Sequence, residues 1–260
     1  MDGQDSEVLG MTSVDDELFV LLDQDSDQVA VYSVNDYRPL APLNLPELER
    51  HRYNDITSCV RQKCLYLSDF GSACILKYDL ASAACTDRWN VERGTARSLS
   101  ATLGGNVLAT CWRRPDNELI ELRATDGQIV RRVALQSGIA GAEYPAYGVQ
   151  LSLRQFVVCL GFSHAYKVCV VEDAGRLAHS YGAKSHDSDP ELCPYRLAVD
   201  TDSRSIFVSA DDAVELLSPP LTYVHSFREK LSQPSGLYFD RSSRRLFVAQ
   251  TGGDIAVIQL

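Results

Sequence analysis

The chain lacks any apolar run approaching the ~20 residues that cross a bilayer. Its longest, such as FVVCLGF from Phe156, are far shorter. This excludes a membrane-spanning helix. Its first residues, MDGQDSEVLG, carry no basic stretch followed by an apolar one, so they do not read as a secretory signal. No Asn-x-Ser/Thr acceptor occurs. Together these absences point to the cytosol. CxxC pairs are missing, as are Cys/His clusters at zinc spacing. The eight cysteines sit mostly in apolar runs (CLYL, ACIL, FVVCLG, KVCVV), where a reduced thiol packs as a small hydrophobe. Cys59 and Cys64 flank one expected hairpin turn, where they could face each other, and are the first pair to check for a disulfide.

Positive charge is missing where phosphate recognition would need it. Net charge is −10, and residues 1–36 contain ten Asp or Glu and no Lys or Arg. Residues 37–260 balance at 25 of each sign. The acidity is therefore local, and the densest basic stretch, Arg241–Arg245 (RSSRR), falls in a tight turn. Nucleic acid is disfavoured as a partner because its phosphates need clustered cations.

Long amphipathic segments of 3.6-residue period are absent too. In their place stand short runs rich in β-branched and aromatic residues, split by Asp-Ser-Asp, Gly-Gly, Asp-Gly and Ser-Ser. Gln233–Leu260 gives the unit: LYFD, a polar turn, LFVAQ, Gly252-Gly253, and IAVIQL. Phe247 of LFVAQ has counterparts at Phe19, Tyr66, Leu108, Val157 and Phe207, spaced by 40–50 residues. A period of about 40–50 built only of short strands fits a propeller blade of four antiparallel strands.

The expected fold is all-β, a single six-bladed β-propeller over 1–260. Its blades lie near 8–48, 55–91, 96–138, 143–182, 193–230 and 233–260, and the last is incomplete at the C-terminus. A short helical turn fits Pro46–Arg52. The sixth unit has three strands, and the available donor of a fourth is Met1–Ser6, which is short and acidic. Either closure is imperfect or the chain is part of a longer protein.

The fifth and sixth units are the most alike. Pro194-x-Arg196-Leu197 through Asp200 and Ile206-Phe207-Val208 match Pro234-x-Gly236-Leu237 through Asp240 and Leu246-Phe247-Val248. This pattern resembles the NHL-repeat class of six-bladed propellers. The first two units lack the proline, whereas the fourth keeps Pro145. The resemblance implies functions as varied as substrate-binding modules of tripartite-motif ubiquitin ligases, RNA-binding regulators with a basic face, and an amidating lyase. More distantly it implies calcium-dependent lactonases and paraoxonases. The fold alone selects none of these.

Catalytic and metal motifs are incomplete. Asp23-x-Asp25-x-Asp27 imitates an EF-hand start, but Gln28 replaces the turn glycine and Val34 the bidentate glutamate. His186–Glu191 (HDSDPE) falls in the longest connection between units and reads as a solvated loop. The six asparagines share no blade position, so a lactonase-like metal site lacks its ligands. No G-x-S-x-G elbow occurs. The sequence implies no cofactor.

What remains is a surface. In four-stranded blades the connections from second to third strand and from one blade to the next share one face. That face collects Trp112, Arg113, His164, Tyr166 and Arg196, and Arg, Tyr and Trp are the types enriched at binding hot spots. Arg97 and Arg196 occupy like positions at the channel mouth, where pairing with carboxylates is the plainer role. The main expectation is a non-enzymatic module that binds a protein or peptide through those five residues. The alternatives are a calcium-dependent lactonase-like hydrolase and a glycan binder. The oligomeric state stays open.

Overall fold

The computed structural model describes residues 7–23, 28–44, 53–91, 94–112, 117–136, 145–160, 167–182, 196–210 and 212–260. Blade one holds β1 (Glu7–Val14), β2 (Glu17–Asp23), β3 (Gln28–Ser33) and β4 (Leu43–Asn44). Blade two holds β5 (Tyr53–Cys59), β6 (Cys64–Asp69), β7 (Cys74–Asp79) and β8 (Ala84–Asn90). Blade three holds β9 (Thr95–Ala101), β10 (Val107–Trp112), β11 (Glu118–Leu122) and β12 (Ile129–Ala134). Blade four holds β13 (Pro145–Ser152), β14 (Gln155–Leu160), β15 (Lys167–Glu172) and β16 (Leu177–Tyr181). Blade five holds β17 (Leu197–Asp200), β18 (Ser205–Ala210), β19 (Ala213–Ser218) and β20 (Thr222–Phe227). Blade six holds β21 (Pro234–Asp240), β22 (Arg245–Gln250) and β23 (Ile255–Gln259). Within each blade the strands pair in sequence order and antiparallel. No helix occurs among the described residues.

The second strand of each blade is apolar on both faces because both faces are covered by a neighbouring blade. β6 is buried along its whole length. Six apolar clusters fill the gaps between consecutive blades, and one of them lies between blades six and one. The repeat anchors Phe19, Tyr66, Leu108, Val157, Phe207 and Phe247 all point forward, each into the cluster shared with the next blade. That common direction is why they recur in the sequence. Burying a side chain of this size stabilises by roughly 1.5–3 kcal/mol.

The turns explain the recurring Asp-x-x-Ser. Asp200 Oδ1 accepts from Asp202 N (3.0 Å) and Oδ2 from Ser203 Oγ (2.6 Å). Asp240 does the same with Ser242 N (3.1 Å) and Ser243 Oγ (2.6 Å). Asp69 and Asp79 cap equivalent turns through Gly71 N (2.9 Å) and Ser82 N (2.7 Å). The residue that follows each serine has left-handed backbone: Ala73 (φ 52°), Ala83 (φ 51°), Arg204 (φ 61°) and Arg244 (φ 54°). Asp69, Asp79, Asp200 and Asp240 thus act as turn caps.

Blade six packs directly on blade one. Tyr238 Oη lies 2.7 Å from Ser13 Oγ, and Arg245 donates to the Val34 carbonyl (2.9 Å). The expected donor strand, Met1–Ser6, lies outside the described residues, as do Asp25 and Asp27, the 46–52 turn and His186–Glu191. Cys59 and Cys64 are cross-strand partners, yet both are free thiols. Each is instead turned to a carbonyl, Gly105 O (3.4 Å) and Gln62 O (3.3 Å).

Candidate functional site

The first strands β1, β5, β9, β13, β17 and β21 surround the central channel, and a polar girdle ties them laterally. Ser58 Oγ donates to Ser13 O (2.8 Å) and lies 2.8 Å from Thr12 Oγ1, joining blades two and one. Ser100 Oγ donates to Gly148 O (2.8 Å) and Tyr147 Oη to Leu99 O (3.3 Å), joining blades three and four. Tyr238 and Ser13 join blades six and one.

Asp55 is the buried charge of this girdle, its side chain 2% exposed. Oδ2 accepts from Leu99 N (2.8 Å) on blade three, and Oδ1 from Ile56 N (3.0 Å). Its counter-charge comes from blade five, where Arg196 Nη1 stands 3.7 Å from Oδ2. The Arg196 guanidinium also donates to Leu9 O of blade one and to Asn54 O of blade two (3.5 Å). It lies 5.1 Å from the centre of the Tyr147 ring in blade four. One side chain therefore reaches four other side chains or carbonyls across the ring. Burial pushes the Asp55 carboxyl up to about 6, while Arg196 and the Leu99 and Ile56 N–H groups act to lower it. Burial, helped by nearby Asp55, also pushes the Tyr147 hydroxyl well above its ordinary range.

Gly10 is part of the same construction. A Cβ at Gly10 would collide with Asp55 Oδ1 and sit 2.9 Å from Ile56 N. β1 can cross Asp55 only without a side chain there.

Trp112 ends β10 at the face that carries the second-to-third-strand connections. It is half-buried, and the Arg97 guanidinium lies 5.7 Å from its ring centre. Of the five residues expected to contact a partner, Trp112 and Arg196 are described, whereas Arg113, His164 and Tyr166 lie outside the described residues. The two arginines that share a position differ in use. Arg196 turns inward to a carboxylate, and Arg97 stacks on an indole. Asp55, Tyr147 and Gly10 drew no functional notice in the sequence. The available signal was a carboxylate opening the otherwise uncharged run DITSCV.

The opposite face carries the hairpin turns, and its charges largely pair among themselves. Lys63 meets Asp15 (2.8 Å), Arg154 meets Asp173 (2.9 Å), Arg176 meets Glu172 (2.8 Å) and Arg123 meets Asp126 (3.0 Å). Arg241 meets Asp202 (2.6 Å) and Arg244 meets Asp200 (3.1 Å), both tying blade six to blade five. Among the described residues no group of three or more His, Cys, Asp or Glu is placed to hold a metal ion.

No family model matches the sequence, and no curated protein matches it. The fold does have solved counterparts. The chain is a six-bladed β-propeller. It is similar to hydrazine synthase from Kuenenia stuttgartiensis, with a TM-score of 0.71 at 12% identity, over 96% of this chain and 83% of that one. At that identity the propeller's likeness is one of fold.

Proposed function

We propose that this propeller binds a protein or peptide on the face that carries Trp112, with Arg113, His164, Tyr166 and Arg196 contributing to the contact. The observation that carries the reading is the Trp112–Arg97 pair: a half-buried indole steadied by a guanidinium at the end of β10. Such a pair offers flat apolar area with a cation beside it, the combination that anchors protein interfaces. Arg196 enters this reading mainly as the brace that fixes the channel mouth. Kinship with NHL-repeat propellers is part of the same proposal. It rests on the equivalent capped turns at Asp200–Arg204 and Asp240–Arg244. A cytosolic setting fits the free thiols of Cys59, Cys64, Cys74, Cys85, Cys111, Cys159 and Cys169.

The test is selection of peptides from a random display library on the wild-type protein. Binding is then remeasured on Trp112→Ala and on Leu153→Asp, a change at an exposed turn of the other face. Trp112→Ala is expected to weaken the selected ligands by about tenfold or more, as for a hot-spot aromatic, with Leu153→Asp neutral. Equal binding to Trp112→Ala would defeat the proposal.

A further inference from the structure

Four of the described arginines are half-buried: Arg97, Arg131, Arg196 and Arg245. Three of them are answered within the fold. Arg131 meets Glu121 (2.6 Å), Arg196 meets Asp55 (3.7 Å), and Arg245 donates to the Val34 carbonyl (2.9 Å). Arg97 differs. Among the described residues its guanidinium meets no carboxylate and no hydrogen-bond acceptor, and lies over the Trp112 ring, 5.7 Å from the centre. Partial burial has taken water from this cation, and no acceptor of the fold replaces it.

The backbone accounts for the position. Thr110 pairs with Ser98 and Cys111 with Ala96, so Arg97 is the extra residue of a β-bulge in β9. The first strands of blades one, two, four and six are bulged at the same place, and their extra residues are Leu9, Asn54, Ala146 and Ser235. A bulge drops its extra residue from the ladder and re-aims the side chain. All five are half-buried and stand near the start of their strands. Trp112 pairs with Thr95 at that same end. These five rim residues carry one cation and no anion.

The carboxylates of neighbouring strands at this end are already engaged. Asp55 accepts from Leu99 N (2.8 Å) and Ile56 N (3.0 Å) and faces Arg196. Asp69 accepts from Gly71 N (2.9 Å) in its own turn, and Glu118 pairs with Arg132 (2.6 Å).

We infer that Arg97 binds a carboxylate, so that the peptide docking on the Trp112 face presents an acidic group beside an apolar side chain. The inference rests on the docking face proposed above and names the chemistry of its partner. A guanidinium matches a carboxylate through two parallel hydrogen bonds. Lying over an indole leaves the N–H groups at its edge free to make them. The apolar neighbour covers the exposed part of the Trp112 ring. A phosphate group is the poorer fit, because it calls for clustered cations and the rim supplies one. The carboxylate belongs to an Asp or Glu side chain or to a peptide C-terminus.

A random peptide library, displayed with free C-termini in one format and tethered C-termini in the other, is selected in parallel on wild type and Arg97→Gln. The best wild-type peptides are then resynthesised with Asp and Glu changed to Asn and Gln, and with the C-terminus as acid or amide. Their affinities are measured on wild type, Arg97→Gln, Arg97→Lys and Trp112→Ala. Acidic peptides, or those with a free C-terminus, should be enriched on wild type and not on Arg97→Gln. Removing the carboxylate should weaken binding to wild type about tenfold or more, as for hydrogen bonds to a charged group. Arg97→Gln should cost the acidic peptide the same factor and leave its uncharged version unchanged, which also shows that the variant is folded. Arg97→Lys, which keeps the charge without the fork, should fall between. Sensitivity to Asn or Gln assigns the side chain, and sensitivity to amidation assigns the C-terminus. Peptides that need Trp112 but bind equally with and without their carboxylates, or equally to Arg97→Gln, would overturn the inference and leave the docking face standing. Peptides indifferent to Trp112→Ala, or no peptides from either format, would defeat the docking face and this inference with it.

Discussion

Arg196 Nη1 stands 3.7 Å from Asp55 Oδ2 although the two residues come from blades five and two, on different sides of the channel. The pair holds the ring across its opening. Removing either member leaves the other charge without its counter-ion in a site where Asp55 is 2% and Arg196 16% exposed. Asp55→Ala and Arg196→Ala should each destabilise by about 3–5 kcal/mol, the range for breaking a buried pair from one side. Urea denaturation should also show the double variant well short of the sum of the singles, as contacting residues couple.

Stability near neutral pH should carry the signature of Asp55. Its carboxyl is pushed up to about 6 by burial, against the lowering effect of Arg196 and of the Leu99 and Ile56 N–H groups. The folded state therefore holds this proton more tightly than the unfolded chain. The group's contribution is fully present below the ordinary carboxylate range and is lost as pH rises through about 6. The stability difference between wild type and Asp55→Asn should fall between pH 4 and 7, by on the order of 2–3 kcal/mol, and be flat above. Denaturation curves at half-unit pH steps check this.

Gly10→Ala places a methyl against Asp55 Oδ1. Overpacking of this kind costs about 1–3 kcal/mol. The cost should shrink in an Asp55→Ala background, where the obstructing oxygen is gone, and the two substitutions should be strongly non-additive.

The exposed Ala83 has φ 51° in the turn capped by Asp79. Left-handed backbone costs a non-glycine residue about 1–2 kcal/mol. Part of that gain is offset by glycine's greater freedom when unfolded, so Ala83→Gly should stabilise by about 0.5–1 kcal/mol. Ala83→Val should destabilise. Thermal melts of the three proteins distinguish the outcomes.

The architecture was legible because its cause is local and repeated. A strand covered on both faces must be mainly apolar, and a six-fold arrangement repeats that demand. Phe19, Tyr66, Leu108, Val157, Phe207 and Phe247 therefore announce the blades, and all six enter the core shared with the next blade. The capped turns show through for the same reason, as Asp200 and Ser203 or Asp240 and Ser243 interact within a few residues. The girdle was not legible. Asp55 meets Leu99, Arg196 and the crossing strand at Gly10 only after the ring has closed, and nothing next to it in sequence signals those partners. Arg97 and Arg196 show the limit of positional reasoning, since like places in two blades lead one to an indole and the other to a carboxylate. Cys59 and Cys64 were correctly placed opposite each other, but adjacency alone does not make a disulfide.

The central claim is that partners dock on the Trp112 face. Hydrogen-exchange or hydroxyl-radical footprinting of the protein with a selected peptide bound tests it directly. Protection at Trp112, Arg97 and the connections beside them, with the turns around Leu103, Leu153 and Arg204 unchanged, is the predicted result. Protection confined to those turns, with Trp112 as reactive as in the free protein, would contradict the account.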